Sequence, residues 1–219
     1  MAKVAVESKT WAILVVDVQP TFMPGGELPV ADADRVVEPG GRFLEALPAV
    51  TTVATQDWHP PGHVSFASSH PGKRPLETIE LYGHEQTLWP DHAVQGSTSA
   101  ELHRGLPRER FDVILRKGAR RDTDSYSAFR ENFGPDGTRH STGLAGYLRE
   151  RGVQRLLVWG LALDYCVAWS ARDAVANGFE TYVVTDLCRA VDPDRQEDTL
   201  TGLGDAGVRP CRANEVNPI

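Results

Sequence analysis

The sequence predicts an α/β fold, a three-layer Rossmann-like arrangement in which a mostly parallel sheet of about six strands carries helices on both faces. Two observations predict it. Short apolar runs alternate along the chain with longer segments of helical periodicity. Such alternation is typical of βαβ units, whose strands run parallel and whose helices cover the sheet. The length of 219 residues, 41% of them hydrophobic, suits one such domain, so we expect a single domain over residues 1–219.

Five runs rich in Val, Ile, Leu and Thr have the length of buried strands, and turn formers or charged residues bound each of them. They are Trp11–Val16, Val50–Thr55, Phe111–Leu115, Arg155–Trp159 and Thr181–Thr185. A sixth strand is expected near Val208, after the last helical segment. Because helical patterns separate these runs, we expect the strands to lie in one sheet and to run parallel.

Four segments have helical patterns: Asp34–Leu47, Thr142–Gly152, Tyr165–Asn177 and Asp194–Gly204. Within the first, the sequence Pro39–Gly41 is expected to break or delay the helix, because proline and glycine are poor helix formers. Gly152 ends the second segment, and Asn177 followed by Gly178 ends the third. Glycine and asparagine commonly end helices because they adopt the left-handed conformation.

The segment Asp57–Arg110 has little clear periodicity and is dense in proline, glycine and histidine. Loops of this length in compact domains are usually functional. We therefore expect this segment to contribute to a functional site.

Charge and composition exclude several functional classes. The chain has 23 basic and 30 acidic residues, a net charge of −7, which argues against a nucleic-acid-binding surface. No apolar run approaches the roughly 18–20 residues of a membrane span, and Glu7 and Lys9 stand where a signal peptide would have its apolar stretch. Three cysteines are too few for a disulfide framework. We expect a cytoplasmic protein that binds a small molecule, and neither nucleic acid nor membrane.

The residues that follow the predicted strands have side chains suited to catalysis. In open α/β sheets, ligands bind beyond the carboxyl ends of the strands. The first four strands lead into Asp17, Gln56–His59, Arg116–Lys117 and Gly160–Cys166, respectively. Taken singly, each of these residues is explained as a cap or a surface residue. Taken together, carboxylates, a lysine, a histidine and a cysteine at four strand ends favour an active site.

Cys166 is the candidate nucleophile. At the start of a helix, free backbone N–H groups and the helix dipole lower the pKa of a thiol, and the same N–H groups can hold an oxyanion. Asp17 is placed to accept the thiol proton, and Lys117 to balance the charge of the Asp–Cys pair. The alternative is an inert buried thiol, which is how we interpret Cys188 and Cys211.

Asp57 and His59 are candidate metal ligands, because two residues so close at a strand end can turn toward one ion. Imidazole nitrogen and carboxylate oxygen favour zinc, iron or manganese over calcium or magnesium. Six of the seven histidines lie between His59 and His103, which leaves the third ligand open among His63, His70, His84, His92 and His103. A hydrogen-bonded turn without a metal is the alternative.

Five stretches occur in the order Asp17–Leu28, Gln56–Ala67, Leu88–Gly96, Lys117–Phe129 and Gly160–Val167. They contain the sequences QDWHP, LWPDHAVQG, DSYSAF and GLALDYCV. In residues and in order they resemble the nicotinamidases (pyrazinamidases) of the isochorismatase-like cysteine hydrolases. The resemblance extends from about Trp11 to Arg189, and five ordered motifs are far more specific than any one of them.

This resemblance implies a catalytic triad of Asp17, Lys117 and Cys166, the roles that the chemistry of these residues also suggests. It further implies a cis peptide bond between Leu161 and Ala162. That bond would aim the backbone N–H of Ala162, together with that of Cys166, at the oxyanion.

The resemblance also implies that Asp57, His59 and His92 bind one divalent transition metal ion, with zinc expected first and iron or manganese as alternatives. His63 stands where only some members of the family have a further ligand, so it is left out of this set. Three aromatic side chains are expected to hold the substrate ring: Phe22, Trp89 and Tyr126.

The implied reaction is hydrolysis of nicotinamide, and of pyrazinamide, through a thioester on Cys166, with a place in NAD salvage and pyridine nucleotide biosynthesis. Two alternatives stay open. One is a related cysteine amidase that acts on another small amide or ureide, and the other is a non-catalytic interaction protein of the same fold. The sequence also leaves open whether the chain forms a homo-oligomer.

Overall fold

The computed structural model describes residues 3–48 and 50–219, which form ten strands and four α-helices. The strands are β1 (Val4–Val6), β2 (Trp11–Val16), β3 (Thr51–Asp57), β4 (Thr78–Leu81), β5 (His84–Thr87), β6 (Val113–Lys117), β7 (Arg155–Leu161), β8 (Glu180–Arg189), β9 (Arg209–Cys211) and β10 (Val216–Pro218). The helices are α1 (Val37–Ala46), α2 (Leu144–Glu150), α3 (Ala168–Ala176) and α4 (Gln196–Asp205).

Six of these strands form the central sheet, in the order β6-β3-β2-β7-β8-β9. Every neighbouring pair in it is parallel. The predicted α/β fold with a parallel sheet of six strands is therefore confirmed. Strand β2 has the predicted bounds, and all six of its residues are buried, as expected of a continuous apolar run covered on both faces.

The connections out of β2 and β7, which lie side by side, run in opposite directions. From β2 the chain passes through α1 to β3, whereas from β7 it passes through α3 to β8 on the other side. Because crossovers between parallel strands are right-handed, opposite directions put these two helices on opposite faces of the sheet. The carboxyl ends of β2 and β7 are thus the topological switch point, where open α/β sheets bind ligands.

Strands β3, β6 and β7 end later than the apolar pattern predicts. Hydrogen bonding in the ladder carries β3 to Asp57 and β6 to Lys117, and the register pairs these two residues. β7 likewise continues to Leu161. The consequence is that Asp57 and Lys117 are the last residues of rigid strands and do not lie in the loops after them.

The predicted interruption of the first helix by Pro39–Gly41 is a delay and not a break. A short 3₁₀ turn, Ala33–Val36, precedes α1, and the proline falls in the first turn of the helix, where its missing N–H is tolerated. Gly40 allows α1 to approach the sheet, since a methyl group there would lie 2.3 Å from the ring of Trp159.

Two pairings were not predicted from the sequence. Strands β1 and β10 pair in parallel, and β4 and β5 form an antiparallel hairpin within the long segment after β3. Six of the eight residues of the hairpin strands have polar side chains, so no apolar alternation marks them. In the described part of the chain, no helix has the length and apolar character needed to cross a membrane.

Candidate active site

Asp17 follows β2 at the switch point, and its conformation and hydrogen bonds hold it firmly. Its φ is +48°, in the left-handed region that aspartate tolerates better than most residues. Its backbone N–H donates to Thr55 Oγ1 at 3.1 Å, and the Thr55 hydroxyl donates to Asp17 Oδ1 at 2.5 Å. The side chain is completely buried. Thr55 on the neighbouring strand therefore fixes the orientation of the carboxylate.

Lys117, the last residue of β6, lies at the centre of the cluster. Its Nζ is 2.8 Å from Asp17 Oδ2 and 3.3 Å from Cys166 Sγ, and it also contacts Asp57 Oδ1. The backbone carbonyl of Ser125 accepts a further hydrogen bond at 2.9 Å. Burial alone would lower the pKa of this ammonium, but the two carboxylates hold it well above its usual range. Lys117 is thus a permanently charged buried cation between two carboxylates.

Cys166 lies in a π-helical turn, Leu163–Val167, which leads directly into α3. The thiol is 7% exposed, and its Sγ lies within 4.8 Å of a carboxylate oxygen of Asp17. Burial raises the pKa of the thiol well above its usual range, against the opposing effect of Lys117. The lowering of the thiol pKa that the sequence predicts is therefore opposed here by burial and by the two neighbouring carboxylates, while Lys117 acts in the predicted direction.

A thiol that stays protonated needs a base, and Asp17 has the required pKa. Burial and the neighbouring Asp57 raise the pKa of Asp17 to about 6, although Lys117 opposes the shift. Such a carboxylate is ionised at neutral pH and yet basic enough to accept and return a proton near it.

The peptide bond between Leu161 and Ala162 is cis. Ala162 directly follows β7 and precedes the turn that holds Cys166, and both residues line the same cavity. The structure thus brings together the two residues whose N–H groups are expected to hold the oxyanion.

Asp57, His59 and His92 form a group whose ligand atoms all lie within 4.8 Å of one another. Asp57 Oδ2 is 3.8 Å from His59 Nε2 and 3.7 Å from His92 Nε2. The other ring nitrogen of each histidine faces a backbone carbonyl. His59 Nδ1 is 3.0 Å from the carbonyl oxygen of Gly118, and His92 Nδ1 is 2.9 Å from that of Pro90. If each Nδ1 carries the proton, both Nε2 lone pairs are left free, which is the usual arrangement of metal-binding histidines. These residues therefore fit a divalent transition metal ion.

Gly118 permits this arrangement. Its φ is +62°, and a methyl group on it would lie 2.4 Å from Cε1 of His59. A side chain at position 118 would therefore displace the imidazole that Gly118 orients through its carbonyl.

The other histidines of the long segment do not converge on this group. His63 packs against His59 with ring centroids 4.2 Å apart, but its Nδ1 is 2.7 Å from Ser65 Oγ and its Nε2 is 3.2 Å from the carbonyl of Thr123. His70 contacts the carbonyl of Val64 through Nε2 at 2.7 Å. Of the five histidines that spacing left open, His92 is the one grouped with both Asp57 and His59, whereas His63 forms a second group with His59 and Asp124.

A cavity joins the thiol to the group formed by Asp57, His59 and His92. The three predicted aromatic residues, Phe22, Trp89 and Tyr126, line it together with Cys166 and this group. Leu28, Tyr165 and Val191 also line it and were not predicted. Tyr165 directly precedes Cys166 in the turn and contacts Trp89 edge to face, with ring centroids 4.7 Å apart.

The position of Lys117 yields a first prediction about reactivity. In a Lys117→Ala variant, the thiol loses its cationic neighbour, its pKa rises further, and alkylation of Cys166 by iodoacetamide slows by about tenfold or more. Mass spectrometry of the labelled cysteine measures the rate, and circular dichroism checks the fold. Unchanged alkylation kinetics in a folded variant would remove Lys117 from the cluster that activates the thiol.

Comparison with known proteins shows similarity to the isochorismatase domain and to nicotinamidases. The family model described as the isochorismatase domain matches residues 11–215. A nicotinamidase of Acinetobacter baylyi is 48% identical over 187 residues, which cover 85% of this chain and 84% of that protein. A nicotinamidase of Escherichia coli is 40% identical over 188 residues, which cover 85% of this chain and 86% of that protein.

Solved structures agree with these sequence relatives. A nicotinamidase/pyrazinamidase of Acinetobacter baumanii superposes with a TM-score of 0.88 at 44% identity, covering 94% of this chain and 98% of that one. An L. infantum protein in complex with nicotinate superposes with a TM-score of 0.86 at 36% identity over the full length of both chains. A pyrazinamidase of Pyrococcus horikoshii in complex with zinc superposes with a TM-score of 0.75 at 32% identity, covering 92% of this chain and 98% of that one.

Proposed function

This chain belongs to the isochorismatase family, and from that premise we propose that it hydrolyses nicotinamide to nicotinate and ammonia, with pyrazinamide as a second substrate. One observation supports the proposal above all others. The buried Asp17–Lys117–Cys166 cluster opens into the same aromatic-lined cavity as the group formed by Asp57, His59 and His92. Such a cavity suits a small planar ring that carries an amide.

The reaction begins with proton transfer from the Cys166 thiol to the Asp17 carboxylate. The thiolate Sγ attacks the amide carbon, and the N–H groups of Ala162 and Cys166 donate to the oxygen on which charge develops. Asp17 then passes its proton to the departing nitrogen, the C–N bond breaks, and ammonia leaves a thioester on Cys166. Water attacks the thioester while Asp17 accepts its proton, and return of that proton to sulfur releases the acid.

Lys117 keeps the charges of this sequence in balance. Its ammonium contacts both Asp17 and Cys166, so it stabilises whichever of the two carries the negative charge as the proton moves between them. Loss of an oxyanion donor typically slows such reactions by about 10²–10³-fold, so the backbone N–H groups of Ala162 and Cys166 also have to be in place.

Asp57, His59 and His92 would hold the metal ion, for which we propose zinc, with iron or manganese as alternatives. When bound, such an ion would act as a Lewis acid toward the pyridine nitrogen and withdraw electrons from the ring. Phe22, Trp89 and Tyr126 pack around the ring and exclude water from the thiol.

Ammonia release from a panel of small amides tests the proposal. We expect nicotinamide and pyrazinamide to be hydrolysed best, with aliphatic amides and cyclic ureides far behind. Preference for another amide or a ureide would support the related-amidase alternative, and no turnover of any amide by metal-loaded protein would support the non-catalytic alternative.

The pKa of Asp17 predicts how the rate depends on pH. Because its carboxylate must be ionised to accept the thiol proton, kcat/KM is expected to fall as the pH drops below about 6. A pH–rate profile measures this, and metal content determined at each pH serves as the control, since metal loss would also lower the rate. A constant kcat/KM down to pH 5 in the metal-loaded protein would exclude Asp17 as the base.

The proposal also covers the cellular location, the pathway and the partners of the protein. We place the protein in the cytoplasm, where nicotinamide hydrolysis supplies nicotinate for NAD salvage and pyridine nucleotide biosynthesis. Its partner is the small-molecule amide, with no role for nucleic acid or membrane, and residues 1–219 act as one hydrolase domain. Light scattering decides between a monomer and a homo-oligomer.

A further inference from the structure

The hairpin β4–β5 is connected to Tyr126, a residue of the substrate cavity wall, through the side chain of Gln86. Of the eight residues in its two strands, Gln86 alone is buried, at 4% exposure. A buried amide on an otherwise solvent-exposed hairpin needs hydrogen-bond partners, because an unsatisfied buried polar group is destabilising. Its partners therefore indicate what the hairpin is attached to.

One of those partners, Tyr126, belongs to the wall of the cavity. Gln86 Nε2 is 2.9 Å from the hydroxyl oxygen of Tyr126 and 2.8 Å from Asp124 Oδ2. The indole Nε1 of Trp89 donates to the same Tyr126 oxygen at 3.1 Å. The two rings meet edge to face with centroids 6.3 Å apart. Gln86 and Trp89 thus converge on one phenol oxygen and fix the ring that carries it.

Asn132 completes the network from the opposite side. Its Nδ2 donates to Gln86 Oε1 at 3.4 Å, and its Oδ1 accepts the backbone N–H of Tyr126 at 3.2 Å. The amide of Gln86 is therefore held at both ends, and the backbone and the hydroxyl of Tyr126 are connected to the same hairpin.

We propose that Gln86 is a positioning residue that sets the ring specificity of the site by holding Tyr126 against Trp89. The inference rests on the proposed function only for the identity of the substrate. Without the Gln86 amide, Tyr126 keeps one donor of two and gains freedom to turn, and the Asp124 carboxylate loses a buried partner. The wall between Tyr126 and Trp89 then loosens, so the cavity holds a single planar ring less tightly and admits a larger one.

The effect should fall on KM and leave kcat nearly unchanged. Tyr126 and Trp89 pack around the ring, whose binding is similar before and during the reaction, whereas the thiol and its partners act on the amide. In Gln86→Leu, which keeps the size of the side chain, KM for nicotinamide is expected to rise about tenfold, with kcat within about twofold. The ratio of kcat/KM for quinoline-3-carboxamide to that for nicotinamide should rise.

The control is Glu85→Gln, an exposed neighbour on the same strand, which should leave both constants unchanged. Gln86→Asn keeps an amide but shortens it, and it provides a milder variant if Gln86→Leu does not fold. If the wild type prefers another amide of the panel, the measurement is made with that amide, so failure of the proposed function and failure of this inference remain distinct.

A double-mutant cycle shows whether Gln86 acts through Tyr126. In a Tyr126→Phe background the phenol oxygen is absent, so adding Gln86→Leu should change KM by less than about twofold. A residue that only anchored the hairpin would instead raise KM equally in both backgrounds. That additivity, or a folded Gln86→Leu protein with unchanged KM and unchanged selectivity, would overturn the proposal.

Discussion

Replacement of Cys166 by alanine is expected to abolish amide hydrolysis, lowering kcat by about 10⁴-fold or more. The thiol lies beside both Lys117 and Asp17. Without it, a water molecule would have to attack an unactivated amide in a cavity shaped for attack by sulfur. Ammonia release under saturating nicotinamide measures the loss, and retained metal content shows that the site is otherwise intact.

The two other cysteines provide matched controls. Cys188 and Cys211 are buried, and burial raises the pKa of each thiol to about 12. Cys188 donates its S–H to the carbonyl of Val184 at 3.3 Å, inside β8. Alanine at either position should leave turnover nearly intact, while a Cys166→Ala protein that retained a tenth of the wild-type rate would show that the thiol is not the nucleophile.

The sequence predicts the scaffold of this site better than its interior. Strand β2 is predictable because it is buried on both faces, which leaves a continuous apolar run ending at Asp17. The ends of β3 and β6 are not, because Asp57 and Lys117 are polar residues held in the ladder by pairing with each other. Polar strand ends have no apolar signal, although they are where an α/β enzyme places its catalytic groups.

Two side-chain contacts between distant segments could not be predicted. Thr55 orients Asp17 across two strands, and Gln86 reaches Tyr126 from a hairpin whose own sequence shows no strand pattern. Both contacts depend on which segments the fold brings together, and spacing along the chain contains no information about that. The direction of the thiol pKa shift has the same origin, because burial of Cys166 is a property of the assembled site.

The proposed metal ligands give the second prediction with a large effect. His92 lies in a loop, and its Nε2 and that of His59 face the Asp57 carboxylate. His92→Ala is expected to lose the bound metal and the hydrolysis of nicotinamide together, while the protein stays folded because the side chain is not part of the apolar core. Metal analysis, thermal unfolding and ammonia release measure the three properties. His103→Ala, a half-exposed histidine of the same segment, should retain metal and activity.

The role of the ion is separable from that of the thiol, because Cys166 is not among the residues that would bind it. In the His92→Ala protein, or after chelation, we expect iodoacetamide to label Cys166 at nearly the wild-type rate even though nicotinamide is no longer hydrolysed. In the metal-loaded protein, benzamide, which lacks the ring nitrogen, should react at least about a hundredfold more slowly than nicotinamide, since loss of one metal ligand removes several kcal/mol of binding. Equal hydrolysis of the two amides would show that the ion does not bind that nitrogen, and that the aromatic walls alone orient the ring.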